Sequence, residues 1–376
     1  MKKGWTYKKL GEVCNIDFGT RVVRSRDAGS IYPVYGGGGA TFKMDIYNRE
    51  DSMVISRFGM SEQCTRFVKG KFFLNDSGLT ISMKDNRMIQ SFMNWQILSL
   101  NNIIYSLGRG AAQKNLDTKA LAEVQISYPD DLIEQQSIVD YLDAAFAKID
   151  ALKANAEKAL GEAKALFQAS LKEMLEPKEG WEEKKLGEIA EIKGGKRLPK
   201  GEKLLTEPTT HKYIRVADFN EYGTVDLDDI RYISDNVYEQ IKRYIINKED
   251  IYISIAGTIG KSGIIPEELD GANLTENACR LILSKEINQR FMYYSTISPE
   301  FIRQEIESTK ISAQPKLALT RLAEILIAYP SITEQQSIVA ALDSLKSKVD
   351  SLQENYEKIS KECDALKQAM LREIFE

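Results

Sequence analysis

The sequence predicts an α+β chain made by internal duplication: two mixed α/β domains, each followed by a long helix. Three observations predict it. Short marks recur in the same order along the two halves, each half changes texture partway, and the second texture carries a heptad repeat. The 376 residues are enough for two cores.

The first half opens Gly4-Trp5-x-x-Lys8-Lys9-Leu10-Gly11-Glu12, and the second opens Gly180-Trp181-x-x-Lys184-Lys185-Leu186-Gly187-Glu188. Leu121-Ala122-Glu123 and Tyr128-Pro129 return as Leu322-Ala323-Glu324 and Tyr329-Pro330. Glu134-Gln135-Gln136-Ser137-Ile138-Val139 returns intact as Glu334 to Val339. The offset grows from 176 to 200, so the second copy holds about 25 extra residues. A period this long is a domain with an appendage, not a solenoid unit.

Residues 1–133 and 180–333 are rich in Gly, Ile, Tyr and Val, with strand-like runs such as Met53–Ser56 and Ile251–Ile255. Residues 134–176 and 334–376 lack Pro, and lack Gly apart from Gly161. In the last segment Ile338, Leu342, Leu345, Val349, Leu352, Tyr356, Ile359, Cys363, Leu366 and Met370 follow a 4-3 spacing, the pattern of a coiled-coil seam. Ile138, Leu142, Ala145, Ile149, Leu152, Ala156, Ala159, Ala163 and Leu166 repeat it in the first copy with smaller side chains. A helix of about 40 residues spans roughly 60 Å, too long to bury its stripe on one such domain. The two stripes are expected to cover each other within the chain; pairing with a second chain is the alternative. Pro177 and Gly180 end the first helix.

Composition narrows the chemistry. There is one His, His211, and the four cysteines (Cys14, Cys64, Cys279, Cys363) are far apart. Neither a zinc cluster nor a disulfide framework is expected, and a reducing cytoplasm fits best. The basic start is followed by no apolar stretch of a signal peptide, and no run is long enough for a transmembrane helix. Gly257-Thr-Ile-Gly260-Lys261-Ser262 lacks the first glycine of a phosphate loop, because Ile255 stands there, and is expected to be a tight turn. No prolines are adjacent, which excludes the Asn/Asp-Pro-Pro-aromatic motif of amino-methyltransferases. A nuclease-like Pro129-Asp130…Glu162-x-Lys164 puts two of its members on the long helix, away from any sheet. No active site is expected.

The net charge of −4 hides an uneven distribution. Residues 1–133 hold 18 Lys+Arg against 13 Asp+Glu, whereas residues 134–179 and residues 334–376 each hold 6 against 9. The first domain is basic and the second holds a local cluster, Lys193, Lys196, Arg197, Lys200 and Lys203. Local clusters of this kind attract phosphates, although alone they are more often solvated loops.

Taken together, these residues resemble the specificity subunit of type I restriction–modification enzymes, across essentially the whole chain. The marks that carry it are the paired openings, Pro33-Val-Tyr35-Gly36-Gly37-Gly38-Gly39, Arg57-Phe-Gly59, Ala256-Gly257-Thr-Ile-Gly260, Gln113-x-x-Leu116, Gln314-x-x-Leu317 and the repeated Glu-Gln-Gln-Ser-Ile-Val. The resemblance implies two target-recognition domains separated by a pair of long antiparallel coiled-coil helices, with an internal pseudo-two-fold axis. Each domain would read one half of an asymmetric, split target in double-stranded DNA, and the helices would set the spacer. Two methylation subunits and restriction subunits would be the partners. S-adenosylmethionine, ATP and Mg²⁺ would be bound by them, with no cofactor on this chain.

Cations, and one tyrosine, near glycines are the expected DNA contacts, since arginine suits guanine and phosphates set register. In the first domain these are Arg21, Arg24, Arg26, Tyr35, Arg57, Arg66, Arg109 and Lys114. In the second they are Lys196, Arg197, Lys200, Lys203, Arg215, Lys261, Lys310 and Lys316. Glu134, Gln135, Gln136, Glu334, Gln335 and Gln336 are expected to dock partners; the two glutamates also suit the first turn of a helix. A structural protein whose domains bind protein or carbohydrate, and an enzyme with an unfamiliar site, are the competing possibilities.

Overall fold

The computed structural model describes residues 4–84, 86–111, 113–309 and 316–376. Backbone contacts divide the chain into two units, Met1–Ala156 with Glu357–Glu376, and Glu157–Tyr356. Each long helix, Leu132–Met174 and Ile332–Phe375, contributes a stretch to both.

The first unit is built on a six-stranded sheet. Its order is Cys14–Phe18, Gly78–Met83, Arg49–Ser56, Thr65–Leu74, Tyr32–Tyr35 and Ala40–Met44, antiparallel except where Tyr32–Tyr35 runs parallel to Thr65–Leu74. Helices Gln90–Ser99 and Asn101–Ser106 cover one face through Phe92, Met93, Ile97 and Ile104, all fully buried. In the second unit the sheet is split. One part is Ala190–Gly194, Ala278–Leu283, Ile251–Ser254 and Ser262–Ile264; the other is Arg231–Ile233, His211–Ile214, Ala272–Leu274 and Ile245–Ile246. Helix Gln289–Thr296 packs there through Phe291, Met292 and Tyr294.

The repeated marks meet in space. Strand Trp5–Lys9 pairs antiparallel with Gln125–Pro129, and Glu182–Lys185 pairs with Leu326–Tyr329. Leu10 N donates to Val124 O and Leu186 N to Ile325 O, both at 2.8 Å. Lys9 and Glu123, and Lys185 and Glu324, form ion pairs of 2.5 Å. A Cβ on Gly11 would lie 3.0 Å from that of Ala122, and one on Gly187 equally close to that of Ala323. The glycine of Leu-Gly-Glu and the alanine of Leu-Ala-Glu therefore recur together, because each leaves room for the other.

The long helices start from a buried amide. Gln135 is fully buried; its Oε1 accepts from Ile89 N at 2.9 Å, and its Nε2 donates to Arg87 O and Pro129 O. Gln335 does the same with Asn288 N, Glu286 O and Pro330 O. These two side chains have no surface to offer a partner, which corrects their assignment to docking. Glu134, Gln136, Glu334 and Gln336 are exposed. Trp181 donates to Glu334 at 3.2 Å, and Gln136 to Asp140 at 2.8 Å.

The helices pair within the chain and run antiparallel. In the first unit Lys153 meets Asp364 at 3.3 Å, Lys367 meets Asp150, and Phe146, Leu142 and Leu371 share one cluster. In the second, Phe167 and Leu171 share a core with Ile338, Val339 and Leu342. The seam departs from the expected heptad on one side. Leu142, Ile149, Ala156 and Ala163 face inward as expected, but their partners are Phe146, Lys153, Leu160 and Phe167, one residue on from Ala145, Leu152, Ala159 and Leu166. Leu152 and Leu166 are 55% and 60% exposed, and Leu366 is 50% exposed. An apolar stripe three or four positions wide admits either choice of second seam row, and the larger rings of Phe146 and Phe167 bury more area.

Glu305, on helix Pro299–Ser308, is buried beside the Gly257–Gly260 turn, where a Cβ on Gly260 would lie 2.5 Å from its Oε2. Its Oε1 has no hydrogen-bond partner among the described residues, and burial pushes its carboxyl up to about 7.

Three outcomes follow. Gln135→Ala and Gln335→Ala each strand a buried N–H and two carbonyls, and urea unfolding should show a loss of roughly 2–3 kcal/mol. Leu160→Ala should cost about 2–4 kcal/mol, whereas the exposed Leu166→Ala should stay within about 0.5 kcal/mol; equal costs would contradict the displaced seam. Because the folded carboxyl of Glu305 titrates above the ordinary 4.5, its contribution is complete below that value and is lost as pH rises through about 7. Glu305→Gln should flatten that fall in melting temperature, measured from pH 4 to 8.

Candidate nucleic-acid interface

In the first unit, strand Arg49–Ser56 runs out into Arg57-Phe58-Gly59. Arg57 N donates to Ser77 O, and Leu116 N donates to Arg57 O, both at 2.8 Å. Phe58 bridges Asn115, which also pairs with Arg109. Gly59 turns at φ 59°, a conformation that a side chain would oppose. The Arg57 guanidinium lies 4.8 Å from the Phe18 ring centre and 4.6 Å from that of Phe58, and both rings are exposed. Lys114 lies 3.8 Å over Tyr105. Arg109, 81% exposed, pairs with Asp117. The backbone N–H of Ala120, with the Arg109 charge, holds the Asp117 carboxyl below its usual range.

The glycine run is a packed turn. Gly37 N accepts no freedom there: it donates to Ser77 Oγ at 3.1 Å, while Gly37 O accepts from Ser56 Oγ and the Arg66 guanidinium. A Cβ on Gly37 would lie 2.9 Å from Phe58 O. Arg66 thus braces the run, and Tyr35 packs edge-on against Phe72. Arg21, Arg24 and Arg26 are exposed, with Arg26 held 2.8 Å from Asp27.

In the second unit Lys196, Arg197, Lys200, Lys203, Lys261 and Lys316 are exposed. Arg197 pairs with Glu276 at 2.5 Å, Lys196 lies 5.5 Å over Tyr244, and Lys261 donates to Phe219 O at 3.1 Å. The Gly257–Lys261 segment is a tight turn, as expected: Gly260 N donates to Ser254 O and Lys261 N to Ser254 Oγ, both at 2.9 Å. Arg215 is half-buried and taken up by Asp218 and Asp229, so it braces its own loop, which corrects its place among the expected DNA contacts. Lys310 lies outside the described residues.

Matching hydrogen bonds align the units residue by residue. Gly19 N donates to Gly78 O and Thr20 N to Leu74 O; Gly195 N donates to Ala278 O and Lys196 N to Leu274 O. Arg21 therefore corresponds to Arg197. Leu116 N on Arg57 O matches Leu317 N on Ile255 O, and the Phe58–Asn115 bridge matches Ala256–Lys316. At these places the framework is the same and most exposed side chains differ. Sequence reasoning missed Phe18, Phe58 and Asn115. Composition marks cations, but the pairing of Phe58 with a residue 57 positions away exists only in the sheet.

No helix among the described residues is long and apolar enough to cross a membrane, and they hold no cluster of three metal-ligating side chains. A family model described as type I restriction modification DNA specificity domain matches residues 2–160 and again 178–361. The chain is 26% identical over 335 residues to the type I restriction enzyme EcoBI specificity subunit of Escherichia coli, covering 80% of this chain and 68% of that protein. It is 23% identical over 340 residues to the MjaVIII specificity subunit of Methanocaldococcus jannaschii, covering 85% and 78%. A chain from a structure of type I R-M complex assembly and conformational transition superposes with TM-score 0.75 at 17% identity, over 99% of this chain and 97% of that one. The HsdS subunit from Thermoanaerobacter tengcongensis superposes at 0.52 and 17%, over 100% and 97%. These two likenesses concern the fold, while the family model covers both halves of the sequence: the chain belongs to the type I restriction modification DNA specificity domain family.

Proposed function

We propose that this chain is the DNA-recognition subunit of a type I restriction–modification complex. As a member of a specificity-subunit family it is non-catalytic, and methyl transfer and cleavage belong to partner subunits. The observation that carries the proposal is the doubled framework with different exposed side chains at corresponding positions. That is what a reader of two unlike half-sites requires.

In this proposal residues 1–133 and 180–333 are the recognition domains, and 134–176 and 334–376 are the spacer helices. Arg21 and Arg197 occupy the same place in both domains. A residue that is the same in two readers of different sequence suits the feature common to both half-sites, the phosphate backbone. Arg24, Arg57, Arg109 and Lys114 in the first domain, and Lys196, Lys200, Lys203, Lys261 and Lys316 in the second, supply further contacts. Two methylation subunits dock on the exposed helix faces, with Glu134, Gln136, Glu334, Gln336 and the outward leucines 152, 166, 352 and 366 as candidates. Restriction subunits join them, S-adenosylmethionine, ATP and Mg²⁺ bind the partners, and the complex works in the cytoplasm.

Inserting one helical turn at matched points in both long helices should lengthen the unread spacer and keep both half-sites, as read by methylome sequencing. Altered half-sites would refute the ruler. Arg21→Ala and Arg197→Ala should each weaken binding evenly across sequences and reduce the salt slope by about 1, measured by titration of duplex DNA at several ionic strengths. Arg57→Ala should weaken recognition of the first half-site alone.

A further inference from the structure

The two units match in backbone where they differ at one exposed cross-strand pair. In the first, Asn115 lies between Phe58 and Arg109, paired with both. Cross-strand partners share a face, so a ring, an amide and a guanidinium stand in a row, with Phe58 in a single bridge beside the two-stranded ribbon of Gly108–Arg109 and Asn115–Leu116. In the second unit the corresponding pair is Ala256 and Lys316. Lys316 is exposed, like Asn115, and both pairs sit beside a glycine of positive φ, Gly59 at 59° and Gly257 at 77°. Nothing lies where a side chain on Gly257 would stand, and at Gly59 the Gln113 side chain comes within 3.1 Å of that place.

The chemistry of the two positions differs in kind. Asn115 Oδ1 accepts from Gly59 N at 3.3 Å, which orients the amide and leaves Nδ2 with no protein partner in that bond. An amide offers a donor and an acceptor side by side, which matches the N7 acceptor and N6 donor of adenine. An ammonium only donates, which matches the two acceptors of guanine, N7 and O6. Phe58 and Ala256 add apolar surfaces of unequal size next to them.

We propose, on the basis of the DNA-recognition function above, that Asn115 specifies an adenine in the first half-site and that Lys316 specifies a guanine at the corresponding place in the second. Arg21 and Arg197 then set the same register in both, and the exchanged pair makes the target asymmetric.

The test is selection from a pool of randomised duplexes by the full chain assembled with its methylation subunits. Asn115→Ala should reduce adenine preference roughly tenfold or more at one position of the first half-site, and leave the second unchanged. N115K combined with F58A should move that position toward guanine, and K316N should move one guanine of the second half-site toward adenine. All three positions are exposed, and the untouched half-site reports that each variant is folded. If N115A lowers binding to every duplex equally, or leaves all preferences intact, the assignment is overturned while DNA recognition stands. If the wild-type assembly selects no sequence at all, DNA recognition itself fails and the assignment falls with it.

Discussion

Everything in each unit depends on how the start of a long helix is tied to its domain. A helix of more than 40 residues can swing a long way on a small error at its root, so the joint must be stiff. Gln135 and Gln335 provide that stiffness by making three hydrogen bonds apiece in the dry interior. Beside them the opening strand of each domain pairs with the strand that leads into the helix. A buried amide is costly unless every bond is made. The requirement for full satisfaction leaves one geometry for the joint.

That same joint explains why the repeated marks are where they are. Lys-Leu-Gly at the opening and Leu-Ala-Glu near the close are more than 100 residues apart in each copy, yet they form one contact. A lysine pairs with a glutamate, a leucine fills the core, and a glycine faces an alanine. Substituting one side of this contact requires a change on the other. The exposed strand ends carry no such mutual constraint, and there the copies have diverged, as Phe58–Asn115 and Ala256–Lys316 illustrate.

The long helices show how a correct pattern can leave a choice of faces. The 4-3 spacing announced two paired helices, and they pair in antiparallel fashion within the chain. The stripe was wide enough for two seams, however, and the one adopted places Lys153 and Lys367 toward the partner helix while leaving Leu152, Leu166 and Leu366 outside. The lysines keep their charges near Asp364 and Asp150, so the stems pack and the heads remain paired. The outward leucines are the apolar surface that a docked subunit would cover.

By itself the sequence determined the duplication, the texture change into long helices, the absence of a recognisable catalytic centre and the local placement of cations. Each of these is periodic, compositional or local, and so is written in neighbouring residues. The tertiary structure decided which residues are free to act. Gln135, Gln335 and Arg215 looked available for partners or DNA and are occupied within the fold, because a polar side chain's neighbours come from distant strands. Asn115 and Phe58 looked ordinary and stand exposed beside each other, because strand pairing, which depends on the whole sheet, brings residues 57 apart in the chain onto one face.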